Sequence, residues 1–116
     1  MKVVFLGTNG WYDTDTGSTV SILVESRDNY IILDAGFGIY KLIKQLKDDK
    51  PISLLLSHLH LDHIIGLHTL PIFNLPQGID IYLPKRFEYE LRKFLRRPFT
   101  TPPQLKILSC AALLNL

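Results

Sequence analysis

One short segment constrains this chain more than any other feature of its sequence. Three histidines and one aspartate fall within six residues, in His58-Leu59-His60-Leu61-Asp62-His63, directly after the apolar run at residues 52–56. The whole chain has only four histidines. Imidazole and carboxylate groups are the ligands that zinc and similar divalent metals prefer. The segment therefore predicts a metal site at the carboxyl end of a buried strand.

The spacing of these four side chains favours two adjacent metal positions. His58 and His60 are two residues apart, so on an extended chain they share a side and can bind one ion. Asp62 and His63 lie past the strand and can bind a second ion, about 3.5–4 Å from the first, with a shared hydroxide. One ion, with Asp62 as the general base, is the alternative. A histidine-rich surface loop or a structural metal clip is the non-catalytic interpretation.

Length and composition predict a single folded domain. The chain has 116 residues, of which 47% are hydrophobic, and a net charge of +2, which argues against a protein that mainly coats nucleic acid or membrane. Its apolar stretches are too short for a membrane span or a secretory signal. Cys110 is the only cysteine, so neither disulfides nor a cysteine-based zinc site is expected, and the cytoplasm is the expected compartment.

Hydrophobic periodicity predicts an α/β layered domain. The predicted strands are residues 2–6, 19–25, 30–33, 52–56, 79–83 and 105–108, and the predicted helices are residues 39–46, 64–70 and 85–97. Residues 8–18 are predicted to form a loop, and Pro71 is predicted to end the second helix. The nearly continuous apolar run at 52–56 is typical of a strand that is covered on both faces.

Three further features have two interpretations each. Asp34 ends a strand before Ala35-Gly36, and is either an Asx-turn or helix-start carboxylate, or one that orients a ligand histidine. His68 is interpreted as solvent-facing or at the edge of the core, in preference to a ligand. The helix at 85–97 carries six basic and two acidic side chains. We interpret it as a solvated face, with a surface that steers anions as the alternative.

Together these residues resemble the amino-terminal half of a metallo-β-lactamase-fold hydrolase. The matching segments are Phe5-Leu6-Gly7-Thr8, Ser21-Ile22-Leu23-Val24, Ile32-Leu33-Asp34-Ala35-Gly36 and residues 57–67 around the histidine motif. Gly7-Thr8 and the order of the motifs are similar to the branch that contains tRNA 3′-processing endonucleases and cyclic-phosphodiester hydrolases. The resemblance covers residues 1–103, although the loop at 7–18 differs from that of the tRNA-processing enzymes.

The resemblance implies an αββα sandwich, of which this chain is half, with a mixed sheet and helices. It implies His58 and His60 as ligands of a first metal, Asp62 and His63 as ligands of a second, and Asp34 as the carboxylate that buttresses the site. Zinc is the expected metal, with manganese or iron as alternatives and up to two ions. His60 stands where the oxygen-reducing diiron branch has a glutamate, which argues against that redox function.

The activity that the resemblance implies is hydrolysis of a small-molecule or nucleic-acid phosphodiester by a metal-activated hydroxide. Asp62 is the residue for which a catalytic role is expected. Hydrolysis of a thioester or a lactam is a further alternative, because it uses the same metal chemistry.

The resemblance also implies that part of the site is missing. The family's remaining ligands come from its second half, but this chain has no histidine after His68 and no aspartate after Asp80. Residues 104–116 are an atypical tail that ends in an apolar segment, residues 108–116, in which Cys110 is interpreted as a buried thiol in preference to a substitute ligand. We therefore expect one truncated domain over residues 1–116 that is unstable alone, forms a homo-oligomer such as a dimer, or is completed by another polypeptide. A catalytically incomplete remnant, which binds metal weakly or acts as an interaction module, is the alternative to an enzyme.

Overall fold

A computed structural model of the chain describes residues 1–101 and 105–110. In that part, six strands form one mixed sheet in sequence order: β1 (Lys2–Gly7), β2 (Ser21–Glu25), β3 (Tyr30–Leu33), β4 (Ile52–Leu55), β5 (Ile79–Pro84) and β6 (Leu105–Cys110). Strands β1 to β3 pair antiparallel, and β3 to β6 run parallel. All six predicted strands are present. The remaining predictions on the tail, for residues 111–116 and the Cys110 thiol, lie outside the described residues and side chains.

One face of the sheet carries the hydrophobic core. Leu23, Ile32, Leu54 and Ile81 follow one another across β2 to β5 in register, and each is fully buried. The helical segments pack against this face and complete a single core cluster through side chains such as Ile39, Leu67, Leu91 and Leu95. The α/β class and the mixed sheet with helices are thus confirmed, with one sheet and one helical layer in the described residues.

The other face of the sheet is only partly covered. Leu33 on β3 and Leu55 on β4 are paired neighbours with 37% and 38% of their surface exposed, and Phe5 on β1 is 65% exposed. The prediction that residues 52–56 are covered on both faces is therefore wrong. Along β4, Ile52 and Leu54 are buried on the core side, whereas Leu55 on the alternate side is open to solvent.

The first predicted helix is a 3₁₀ helix, Phe37–Lys44, and not an α-helix. In a 3₁₀ helix, residues three apart lie on one face, whereas residues four apart do not. Ile39 and Leu42 are accordingly buried, while Ile43 is 41% exposed. The α-helical period predicted for residues 39–46 is wrong for this reason.

The two later helices also differ from their predicted bounds. Helix α1 (Leu61–Ile64) begins inside the histidine motif and continues as a 3₁₀ helix, Ile65–Ile72, which includes Pro71 instead of ending before it. A 3₁₀ turn, Lys85–Phe87, precedes α2 (Glu88–Phe94). All six basic side chains of residues 85–97 are exposed, which agrees with a solvated face. None of the described helices is long and apolar enough to cross a membrane.

Candidate metal centre

The histidine motif lies at the carboxyl edge of the parallel strands. It follows β4, and Asp34 follows the neighbouring parallel strand β3, so both segments leave the sheet at the same edge. The Asp34 N–H donates to the carbonyl oxygen of Leu55 at 2.9 Å, which joins the two strand ends. Asp34 is therefore placed beside the histidines by strand pairing alone.

The three histidines of the motif are brought together. The ring centroids of His58 and His60 are 4.6 Å apart and nearly perpendicular, and those of His58 and His63 are 4.1 Å apart. The fourth histidine, His68, is exposed on the 3₁₀ helix Ile65–Ile72, as predicted.

The carboxylate of Asp34 connects two of these histidines. Its Oδ2 lies 3.0 Å from Nδ1 of His63, and its two oxygens lie 2.8 and 3.0 Å from the Ser57 hydroxyl. Ser57 also donates its backbone N–H to Asp34 Oδ1 at 2.8 Å. Since Ser57 Oγ is 2.9 Å from Nδ1 of His58, the network reaches a second ring. Asp34 thus has the position that an orienting carboxylate requires.

This network also fixes which ring nitrogens are free. A carboxylate only accepts hydrogen bonds, so His63 donates from Nδ1 to Asp34 and the Ser57 hydroxyl donates its single hydrogen to Asp34. His58 must then donate from Nδ1 to Ser57 Oγ. In the neutral rings of His58 and His63, Nε2 is then the nitrogen that keeps its lone pair, which is the state that a metal ligand needs.

Asp62 is held by the loop after β1. Its Oδ2 accepts a 2.8 Å hydrogen bond from the backbone N–H of Trp11. This bond lowers the pKa of the Asp62 carboxyl below its usual value, against partial desolvation, and His63 lowers it further. The lowered pKa favours the carboxylate anion, which can bind a metal ion, and makes it a weaker general base.

The pKa of His58 is also lowered. Desolvation by burial is the largest cause, followed by the charges that His63 and His60 carry when protonated, while Asp34 and Asp62 act in the opposite direction. A lowered pKa keeps the imidazole of His58 neutral at pH 7, and the neutral ring is the form that binds metals.

Two glycines let the surrounding backbone segments come close enough to form this site. A Cβ on Gly36 would lie 2.6 Å from the carbonyl oxygen of Asp62 and 2.5 Å from the carbonyl carbon of Thr19. A Cβ on Gly66 would lie 2.1 Å from the carbonyl oxygen of Gly36. The absence of side chains at both positions lets the segment after Asp34 pack directly against α1 and its continuation.

The donor chemistry of the site fits a divalent ion, but the ligands are not fully converged. His63 Nε2 and Asp62 Oδ2 are 3.9 Å apart, and two ligands bound at about 2.0–2.2 Å to one ion lie no more than about 4.4 Å apart. In residues 1–101 and 105–110, however, no three His, Cys, Asp or Glu side chains are grouped closely enough to hold an ion as they stand. Ion binding therefore requires the side chains to adjust.

Two participants in the site are absent from the sequence-based candidates, Ser57 and the backbone N–H of Trp11. The position of Ser57, immediately before the first motif histidine and at a strand end, is the signal that identifies it. Nothing in the sequence identifies Trp11, since its contact joins positions 51 residues apart through a backbone atom.

Comparison with known proteins agrees with the predicted resemblance, including its nearest branch. Residues 14–72, about half of the chain, match the family model described as "Metallo-beta-lactamase superfamily". A ribonuclease Z of Haloarcula marismortui is 30% identical over 107 residues, which cover 88% of this chain and 34% of that protein. The chain therefore spans about a third of this curated relative, and the predicted truncation stays a prediction.

Solved structures show the same fold. The short form of human tRNase Z has a TM-score of 0.70 and 26% identity, over 94% of this chain and 44% of that one. The Zn²⁺-bound PqqB of Methylobacterium extorquens also has a TM-score of 0.70, with 20% identity, over 96% of this chain and 50% of that one. The described elements thus match about half of each of these larger structures.

Proposed function

This chain belongs to the metallo-β-lactamase superfamily, which implies binding of a divalent metal, and we propose that it carries the histidine half-site of a hydrolase that cleaves phosphodiester bonds. The phosphodiester is either a small molecule or a nucleic acid. The names of the similar proteins, ribonuclease Z and tRNase Z, support this substrate class. We also propose the cytoplasm as its compartment.

The observation that carries the proposal is the hydrogen-bond network of Asp34. Through His63 directly and through Ser57 to His58, one carboxylate fixes two imidazoles with Nδ1 protonated and Nε2 free. A solvated histidine-rich loop has no need of such a network, because its rings are free to rotate. A histidine that binds a metal almost always donates its other ring N–H to a carboxylate, a backbone carbonyl or water, as His63 does to Asp34.

The proposed ligands follow from these positions. His58 and His60 would hold one ion, and Asp62 and His63 a second. Zinc is the proposed ion, because nitrogen and carboxylate donors suit it and a solved protein of the same fold binds it. The ion supplies Lewis-acid activation of water and neutralises charge on the phosphate oxygens.

The residues of the chain have separate tasks in this proposal. Asp34 holds the ring of His63, and Ser57 transmits the same restraint to His58. The Trp11 N–H keeps Asp62 Oδ2 in position beside His63. Because a lowered carboxyl pKa makes Asp62 a weaker proton acceptor, we assign Asp62 to metal binding in preference to proton abstraction.

One specific observation favours a second candidate function, an interaction module with incomplete catalysis. Apolar side chains on the outer face of the sheet, Val3, Phe5, Leu33 and Leu55, are between 37% and 65% exposed. Exposed apolar faces of this kind mark association surfaces. A homo-oligomer or a complementing polypeptide would cover them, and the two candidate functions differ in whether turnover accompanies metal binding.

The test uses the purified 116-residue chain, loaded with zinc or manganese and assayed with bis(p-nitrophenyl) phosphate. Metal content is measured by mass spectrometry after dialysis. The variant His58→Ala/His60→Ala removes the first proposed pair of ligands, and His68→Ala, which changes an exposed histidine outside the motif, is the matched control.

Turnover and up to two tightly held ions, both lost in the double variant and kept in His68→Ala, would support the metal-dependent phosphodiesterase. Activity that survives in the double variant would contradict the proposed site. One weakly held ion or none, without turnover, would favour the interaction module. Turnover of a thioester or a lactam but not of the phosphodiester would favour the remaining alternative.

A further inference from the structure

The side chain of Trp11 is unusually open for its type. It is 90% exposed, whereas tryptophan is highly buried on average because of its large apolar surface. Its own backbone N–H is bonded to Asp62 in the candidate metal centre. The exposed indole therefore belongs to a residue whose backbone is bonded directly to a proposed ligand.

The loop that presents Trp11 is held in one conformation. Trp11 has a φ of 68°, in the left-handed region that bulky residues rarely adopt. Such a conformation costs about 1–3 kcal/mol and persists only where surrounding contacts impose it. Asn9 provides these contacts: its N–H donates to Ser18, and its side-chain amide donates to the carbonyl of Tyr12 and to the hydroxyl of Thr14.

Beside Trp11 the loop forms an open cleft of about 470 Å³, a volume in the usual range of small-molecule sites. It is lined by Thr8, Asn9, Gly10, Trp11, Tyr12 and Thr14. A second aromatic, Tyr12, is 71% exposed there, and none of the six lining side chains carries a charge. The cleft thus offers aromatic rings, hydroxyls and an amide, but no group that would attract an ion.

We propose that this cleft binds a nucleobase of the substrate, with Trp11 as its stacking platform and the phosphodiester at the adjacent histidine site. The inference rests on the proposed function, because it assumes that the phosphate lies at the motif. It narrows the substrate from any phosphodiester to one that carries a base next to the scissile bond.

The chemistry of the loop favours a base over other occupants. Asp13 and Asp15 are exposed and adjoin the lining residues in the chain, and their negative charges disfavour a second phosphate in the cleft. A nucleobase is a neutral planar ring with polar edges, so its face can stack on the indole while its edges form hydrogen bonds with the nearby hydroxyls. Stacking on an aromatic side chain is also tolerant of base identity. The cleft should therefore select nucleotides as a class and discriminate weakly among bases.

Trp11 is the only tryptophan in the chain, so its fluorescence reports binding directly. The zinc-loaded chain is titrated with adenosine 5′-monophosphate or with ribose 5-phosphate, and excited at the red edge of the tryptophan band, where adenine does not absorb. We expect quenching by the nucleotide and little by the sugar phosphate. Equal quenching by both, or none by the nucleotide, would overturn the proposal.

A kinetic test uses two substrates with the same leaving group, the p-nitrophenyl ester of thymidine 5′-monophosphate and methyl p-nitrophenyl phosphate. The quantity compared is kcat/KM for the thymidine ester divided by kcat/KM for the methyl ester. In Trp11→Ala this ratio should fall about fivefold or more, in line with the loss of one stacked base. Trp11→Phe should restore most of the ratio. Tyr89→Ala removes an exposed aromatic on α2 outside the cleft and should leave the ratio unchanged.

The two proposals fail in different ways. If neither ester is hydrolysed but the nucleotide still quenches selectively, the hydrolase is contradicted and the base site is supported. If both esters are hydrolysed and Trp11→Ala lowers both rates equally, the hydrolase stands and the base site is overturned.

Discussion

Asp34 Oδ2 lies 3.0 Å from Nδ1 of His63, and this contact joins the end of β3 to helix α1. Asp34 has a φ of 59°, a left-handed conformation that an aspartate tolerates better than most side chains do. The side chain is held there by Ser57 as well as by His63. The Asx-turn interpretation is therefore less well supported than the orienting one, since the carboxylate bonds residues 23 and 29 positions away.

Replacement of Asp34 should weaken metal binding without removing a ligand. Asp34→Ala releases the His63 ring and the Ser57 hydroxyl together, and we expect zinc affinity to fall by about 10–100-fold. Asp34→Asn keeps one acceptor oxygen, so its zinc affinity should fall less than that of Asp34→Ala. Isothermal titration with zinc measures both. Asp28→Asn, at an exposed turn, is the control, and an unchanged affinity in Asp34→Ala would contradict the role of the carboxylate.

Ser57→Ala should destabilise the metal-free protein by about 1 kcal/mol, the usual net value of a side-chain hydrogen bond. Its hydroxyl bonds both Asp34 oxygens and the ring of His58. The free energy of unfolding is measured with urea. Ser53→Ala, on the outer side of β4, is the control and should change it by less. Equal effects of the two substitutions would mean that the network contributes nothing to stability.

Gly36→Ala should be destabilising by about 1–3 kcal/mol, because the new methyl group would meet backbone atoms that cannot move independently. A Cβ there lies 2.5–2.6 Å from atoms of Thr19, Val20 and Asp62. A Cβ on Gly10 meets no atom within 4 Å, so Gly10→Ala should change stability by less than about 0.5 kcal/mol. Thermal unfolding of both variants tests the pair, and similar melting temperatures would contradict the close packing.

The strands were predictable because alternating or continuous apolar residues report directly which side chains face a core. The same reasoning predicts the wrong helix type for residues 39–46, because Ile39 and Leu42 satisfy both a 3₁₀ and an α-helical period. Only Ile43, which is exposed, distinguishes the two. The reasoning also predicts, wrongly, that both faces of β4 are covered, since an apolar run does not reveal whether a second layer covers Leu55.

The ligand candidates were predictable from their chemistry, and Asp34 was predicted as an orienting carboxylate, whereas its partner histidine and the roles of Ser57 and Trp11 were not predicted. His58, His60, Asp62 and His63 are adjacent in sequence, so their proximity needs little tertiary structure. The contact between Asp34 and His63 depends on the parallel pairing of β3 with β4, which the spacing of the residues does not encode. The bond from Trp11 to Asp62 uses a backbone N–H, and no choice of side chain reveals it.

Zinc should stabilise the folded chain if the histidine motif binds it. An ion that binds only the folded state adds about 2.7 kcal/mol at a free concentration of 100 times its Kd, which raises the melting temperature by on the order of 10 °C in a domain of this size. The shift should disappear with a chelator and in His58→Ala/His60→Ala, and remain in His68→Ala. Unfolding is followed by circular dichroism with and without zinc. A melting temperature that zinc leaves unchanged in the unaltered chain would contradict binding at this site, whatever activity the preparation shows. A shift that persists in the double variant would place the ion on other residues.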